Sequence, residues 1–262
     1  MSHTDAQDRL AARVEDLLGR AQRGEVTHTA FLTPAEQKRL SRTLGGEGKT
    51  FLAFGGYKDA ERQRLFLLPP YMQELDEPTL YAWLQECFAE QLVALRVCGS
   101  GYRELSHRDY LGAILNLGIE RDAVGDLCVT DTHTAVLFCD SVMADFLCEH
   151  LERVANDAVR TERIQLPEGF DGGRSFRPVS DTVASPRADS VVAALANLSR
   201  ERAQALFREG AVEIDYEAAD KPDRPLHEGA VIVIRGKGKF VIRSLSQQTK
   251  KGRIRLVADQ YI

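Results

Sequence analysis

Three groups of residues in this chain of 262 have types and spacings that suit chemistry. The first is Arg200, Gln204 and Arg208, which recur every four residues and so line one face of any helix that carries them. Two guanidiniums flanking an amide suit contacts to phosphate and sugar oxygens. The second is Arg235, Lys237 and Lys239, interleaved with Gly236 and Gly238 so that a tight turn would hold three cations together. The third is His107-Arg108-Asp109, with Asn116, Arg121 and Asp122 downstream. This triplet invites comparison with a kinase catalytic loop. That loop needs Asn five residues after its Asp, where this chain has Ile114, and no kinase-type glycine loop lies upstream. The GGEGKT run at residues 45–50 fails as a phosphate-binding loop, because the required first glycine falls on Thr43 and the run opens a strand, not a helix.

The elements that must position these residues can be read in order. A polar helix is expected over residues 4–23, with Leu10, Val14, Leu17 and Leu18 on one side, and a second from Thr33-Pro34 to Leu44. Two strands, at 50–54 and 63–68, flank a polar turn. After Pro69-Pro70 and a short acidic link comes a central unit: a strand or helix–strand at 88–97, helix 107–117, strands 126–130 and 134–139, helix 141–156 and strand 161–166. The succession β-α-β-β-α-β is that of a ferredoxin-like or RNA-recognition-motif-like (RRM-like) fold, although the aromatic strand motif that stacks bases is missing. Asp140 or Ser141 caps the second helix, whose apolar positions are Val142, Phe146, Leu147, Leu151 and Val154. Ser106 and Asp109 suit the start of the first helix and Gly118 its end. Residues 168–184, rich in Gly, Pro, Ser and Asp, read as a linker, with Arg174 and Arg177 as extra phosphate contacts. Beyond it, an apolar helix precedes the Arg200 helix, which Ser199 caps, Gly210 ends, and Ala203, Leu206 and Phe207 bury. The fold class is therefore α+β: an N-terminal helical and hairpin region (1–75), a central RRM-like domain (76–167), a linker, and a C-terminal module (185–262).

Charge divides the chain in the same place. Residues 187–262 carry 14 lysines and arginines against 10 acidic residues, and the remainder 20 against 29. From Ala230 to Ala258 no residue is acidic and eight are lysine or arginine. An acidic body with a basic module suggests that one end meets a polyanion. The five cysteines, Cys87, Cys98, Cys128, Cys139 and Cys148, never form a CxxC pair and read as free thiols in a reducing compartment, with no metal site. No run is long and apolar enough to span a bilayer, and the first residues are charged and helix-like, so a cytoplasmic location without membrane contact is expected.

The C-terminal stretch resembles the S4 (αL-type) RNA-binding domain. The resemblance rests on Arg187 and Asp189, Ser199-Arg200, Ala203, Gly210-Ala211-Val212 and the RGKGKF turn at 235–240. Asp215-Tyr216 stands where that family usually has an Asn-Gly turn. The segment HRDYLGAILNLGIERDAVGD, from His107 on, is similar to the signature of YlmH-type S4 proteins. The resemblance implies RNA binding through Arg187, Asp189, Ser199, Arg200, Gln204, Arg208, Arg235, Lys237 and Lys239. It also implies association with the large ribosomal subunit in clearing stalled nascent chains, with ribosomal and transfer RNA as partners, a monomer, no catalytic residues and no cofactor. For His107, Arg108, Asp109, Asn116, Arg121 and Asp122 two readings stand side by side: a second RNA or ribosome contact, or an intramolecular capping and ion-pair cluster. His133 reads as incidental in a hairpin turn. The rival function is an RNA-modifying enzyme, of pseudouridine synthase or methyltransferase type, with the module as its targeting arm.

Overall fold

The computed structural model describes residues 3–44, 50–245 and 252–262; the GGEGK segment lies outside the described residues. They divide into two compact units, Met1–Gly173 and Arg174–Ile262.

The first unit opens with α1 (His3–Gln22), β1 (Thr27–His28), α2 (Pro34–Leu44), β2 (Phe51–Phe54) and β3 (Arg64–Leu67). The strands form an antiparallel sheet in the order β1-β3-β2. Every residue of β2 and β3 is buried, because alternate side chains enter two different cores. Phe51, Ala53, Leu65 and Leu67 meet Val14 and Leu17 of α1 and Leu40 of α2 on one side. Leu52, Phe54 and Phe66 meet Leu80 and Leu84 on the other. Those leucines belong to α3 (Glu77–Cys87), a helix in the stretch expected to be an acidic link. Asp76 caps it by accepting from the Thr79 N–H at 2.8 Å, and Pro78 sits in its first turn, where its missing N–H costs nothing.

Within the same unit follow β4 (Val93–Gly99), α4 (His107–Asn116), β5 (Val124–Asp131), β6 (Thr134–Cys139), α5 (Ser141–His150), β7 (Arg153–Val154) and β8 (Asp157–Ile164). The sheet order is β5-β6-β4-β8-β7 with every neighbour antiparallel, so two β-α-β crossovers interleave as in split βαβ folds. α5 ends at His150, six residues short of the expected helix. Leu151 and Val154 are buried as the spacing requires, but Val154 enters the core from a tight hairpin in which Ala155 has φ of 51°. Val142, expected on the buried face, is 81% exposed.

The N-terminal region and the central fold, expected as separate domains, are locked together in this unit. The buried carboxylate of Asp126 accepts from the Tyr57 hydroxyl at 2.6 Å and from the Glu61 and Arg62 N–H groups at 2.7 and 2.8 Å. Arg64, 4% exposed, reaches Asp140 at 3.0 Å.

The second unit comprises β9 (Phe176–Val183), α6 (Ala188–Ala196), α7 (Arg200–Arg208), β10 (Val212–Ile214), β11 (Glu217–Ala218), β12 (Val231–Ile234), β13 (Gly238–Ser244) and β14 (Ile254–Tyr261). Its sheet runs β11-β10-β12-β13-β14-β9, and Val191, Val192, Ala203 and Phe207 of the helices join Ile214, Ile232, Phe240 and Leu256 in one core. The expected linker at 168–184 thus holds a strand, and all of β9 pairs with β14. Its proline is compatible with that place because β9 is an edge strand, where Pro178 need not donate to a second neighbour.

Candidate nucleic-acid interface

The geometry of the C-terminal helices is set by one carboxylate. Arg187 precedes α6 and Asp189 lies in its first turn, a favourable end of the helix for an anion. Asp189 has no solvent-exposed surface. Its Oδ2 accepts from Arg200 Nε and from Gln204 Nε2, both at 3.0 Å, and its Oδ1 accepts from Arg187 Nε at 3.2 Å. Burial alone would raise the pKa of this carboxyl; the bonds from Arg187, Gln204 and Arg200 outweigh it and hold the value down at about 2. Asp189 was expected among the RNA contacts, but a carboxylate with no exposed surface cannot meet a phosphate. It positions Arg187, Arg200 and Gln204 instead.

Ser199 caps α7 by accepting from the Arg202 N–H at 3.2 Å, and Gly210 takes the left-handed conformation after the helix, with φ of 59°. Ala203, Leu206 and Phe207 are buried, so the opposite side of α7 is turned outward. On it, Arg200 is tethered through Nε alone and its side chain stays 54% exposed. Gln204 is half-buried against Asp189. Arg208, one turn further, is exposed, and its side chain makes no hydrogen bond or ion pair among the described residues. The stripe is therefore graded, with two members locked and one loose.

The basic turn follows β12. The Lys237 N–H donates to the Ile234 carbonyl at 2.9 Å, and Gly236 and Gly238 have φ of 75° and 113°. Arg235 donates to the Gly210 carbonyl at 3.1 Å, which brings the turn beside the end of α7. Lys237 is exposed, whereas Lys239 lies over the rings of Tyr216 and Tyr261, 5.1 and 4.7 Å from their centroids. Tyr216 gets there because Asp215 and Tyr216 both adopt positive φ, 52° and 64°, in the two-residue turn between β10 and β11. The Asp215 carboxylate compensates by accepting from the Val231 N–H at 3.0 Å. Phe176 stands edge-on to Tyr261 at 4.9 Å. These aromatic neighbours escaped the sequence reading, since they come from strands far apart in the chain. Arg177, expected in a linker, donates to Gln260 on β14.

The 106–122 cluster separates into parts. Ser106 and Asp109 form a capping box: Asp109 accepts from the Ser106 N–H at 2.9 Å, and the Asp109 N–H donates to the Ser106 hydroxyl at 3.3 Å. Arg121 is intramolecular, donating to the carbonyls of Val124 and Gly125 at 2.9 Å each. Burial and the charge of Arg62 push its pKa down to about 10, so it remains a cation at pH 7. Partial desolvation and the charge of Arg121 lower the His107 pKa, which leaves that imidazole neutral at pH 7. The Asp122 carbonyl accepts from the Phe31 N–H at 2.9 Å, and its side chain is exposed. Arg108 and Asn116 are exposed on α4. His133 bonds the Arg103 carbonyl at 2.9 Å through Nδ1.

Among the described residues no group of three or more His, Cys, Asp and Glu could hold a metal ion, and no helix is long and apolar enough to cross a membrane. Two family models match: "YlmH, N-terminal" over residues 7–72 and "Putative RNA-binding domain in YlmH" over residues 85–168. The chain is 30% identical, over 88% of its length and 86% of the relative's, to "Ribosome-associated protein quality control protein P2" of Bacillus subtilis (strain 168). The solved structure "Cell division protein ylmH from Streptococcus pneumoniae" aligns with 64% of this chain and 92% of its own at 20% identity, with a TM-score of 0.46. Two family models along the chain and a relative matched over nearly its whole length carry the same conclusion: the chain belongs to the YlmH family.

Proposed function

We propose that this chain is an RNA-binding protein without catalysis of its own, which docks through an S4-type module, residues 185–262, on structured ribosomal or transfer RNA. The observation that carries the reading is the anchored stripe on α7. Asp189 fixes Arg200 and Gln204, Arg208 continues their line, and Arg235 brings the Lys237 turn to the end of the same helix. Cations held on a rigid helix and turn suit the backbone and shape of folded RNA better than they suit base edges. The name of the Bacillus subtilis relative supports a place on the ribosome. The large subunit, during clearance of stalled translation in the cytoplasm, is the setting that fits the family resemblance. The module acts as a monomeric clamp and needs no cofactor.

Crosslinking of the protein to RNA in cells, with sequencing of the contact sites, tests this reading. Contacts should concentrate in ribosomal and transfer RNA. Contacts confined to messenger RNA would overturn the ribosomal assignment, and loss of a modified nucleotide in cells lacking the protein would turn the reading toward an enzyme.

A further inference from the structure

The face of the central sheet that an RRM-like fold would offer to bases is closed in this chain. Tyr57 stacks on Phe138 with centroids 5.1 Å apart, Phe170 stands edge-on to Tyr57 at 5.3 Å, and Ala60, Ile164 and Leu166 complete the cover. Phe138 has no exposed surface. Beyond that cover, Glu162 is paired with both Arg96 and Arg160. RNA that meets residues 85–168 must use another surface.

One face of α4 supplies it. Arg108, Gly112 and Asn116 recur every four residues and form a stripe, which shares a groove of about 530 Å³ with His150 and Arg153 from the end of α5 and the start of β7. No hydrogen bond or ion pair among the described residues holds the Arg108 or Asn116 side chain, and both residues are exposed. Gly112 is the telling position. Glycine inside a helix is less stable than alanine, yet a Cβ here would meet nothing within 4 Å. Internal packing does not account for the missing side chain, and the bare helix backbone there lies open to the groove. Two carboxylates share the groove. Asp109 is engaged by Ser106 and Arg103, and Glu152 is exposed beside Arg153 in sequence. Arg153 donates through one amino nitrogen to the Asn156 carbonyl at 2.9 Å and stays exposed, while the side chains of Arg108 and Asn116 are unengaged; two guanidiniums and an amide along one groove suit a sugar–phosphate backbone.

We propose that this groove is a second RNA site. A stretch of sugar–phosphate backbone crosses Gly112, with Arg108 and Arg153 on its phosphates and Asn116 on a ribose or phosphate oxygen. The proposal rests on the reading that the chain binds RNA, and adds a place for it outside the C-terminal module.

The test titrates the full chain with a fluorescently labelled RNA hairpin carrying a single-stranded tail, at several salt concentrations. Gly112→Ala should raise the melting temperature by about 2–4 °C, as a helix-interior glycine replaced by alanine does in a unit of this size, yet weaken RNA binding about threefold or more. A merely structural glycine would not move stability and affinity in opposite directions. Arg108→Ala and Arg153→Ala should each lower the slope of log Kd against log salt by about one. If all three variants bind like wild type while Arg208→Ala weakens binding, the groove takes no RNA, and the proposal falls while the reading of the C-terminal module stands. A wild-type chain with no salt-dependent RNA binding overturns both. Weakened capture of an acidic peptide by Arg108→Ala and Arg153→Ala, with RNA binding unchanged, reassigns the groove to a protein partner.

Discussion

In the proposed function Asp189 serves recognition without touching the ligand. Its carboxylate is fully buried and holds three side chains, Arg187 just before α6 and Arg200 and Gln204 on α7. Replacing it with alanine should weaken RNA binding almost as much as removing Arg200, because Arg200 and Gln204 lose their common anchor; parallel titrations of the two variants check this. The same carboxylate links stability to acid. Its folded-state pKa of about 2 lies below the unfolded carboxylate value near 4, so its stabilisation is fully present above about pH 4 and is lost as pH falls toward 2. The contribution is on the order of 2–3 kcal/mol at neutral pH. Urea unfolding between pH 5 and 2 should show wild type losing that much more than Asp189→Asn. Equal losses in the two proteins would remove the carboxylate from this role. Sequence spacing identified the stripe on α7 and the turn at 235–239, but not the burial of Asp189. Nothing in one sequence says that the first turn of α6 faces the outer side of α7.

At the scale of elements, what was legible was local. α7 announces itself through Ser199, an apolar spacing and Gly210, all within a dozen residues, and the Ser106–Asp109 box does the same for α4. α3 was hidden because Asp76-Glu77-Pro78 reads equally as an acidic link. The end of α5 was misplaced because Leu151 and Val154 keep helical spacing while the chain turns into a hairpin. β9 could not be seen at all, since its partner among the described residues, β14, lies some eighty residues on and edge strands tolerate the prolines and serines of linkers. The α5 correction can be tested directly. Val142→Lys should change stability by less than about 0.5 kcal/mol, whereas Val154→Ala should cost about 1–3 kcal/mol. A continuous helix to residue 156 with Val142 buried would make the first substitution the costly one.

At the scale of the whole molecule, the proposed function gives the acidic body and the basic module separate tasks. The body is held together by buried polar ties, Asp126 among them, and its own sheet face is spent on internal packing. Asp126→Ala would remove the carboxylate that accepts from the Tyr57 hydroxyl and from two backbone N–H groups, for a loss of about 3 kcal/mol. Fluorescence of Trp83, the single tryptophan, follows this unit and should report that loss in urea. The division of charge was visible in the sequence, whereas the fusion of residues 1–173 into one unit depends on contacts sixty and more residues apart. The central claim is that the basic module grips RNA through exposed cations. Arg208 and Lys237 are the cleanest probes, because neither side chain has a hydrogen-bond or ion-pair partner among the described residues. The direct measurement is the affinity of the full chain for a structured ribosomal RNA fragment across a range of salt, compared with Arg208→Ala/Lys237→Ala. The wild-type log Kd should rise linearly with log salt, and the double variant should bind more weakly with a slope lower by about two. Equal affinity and equal slope in the two proteins would contradict the account.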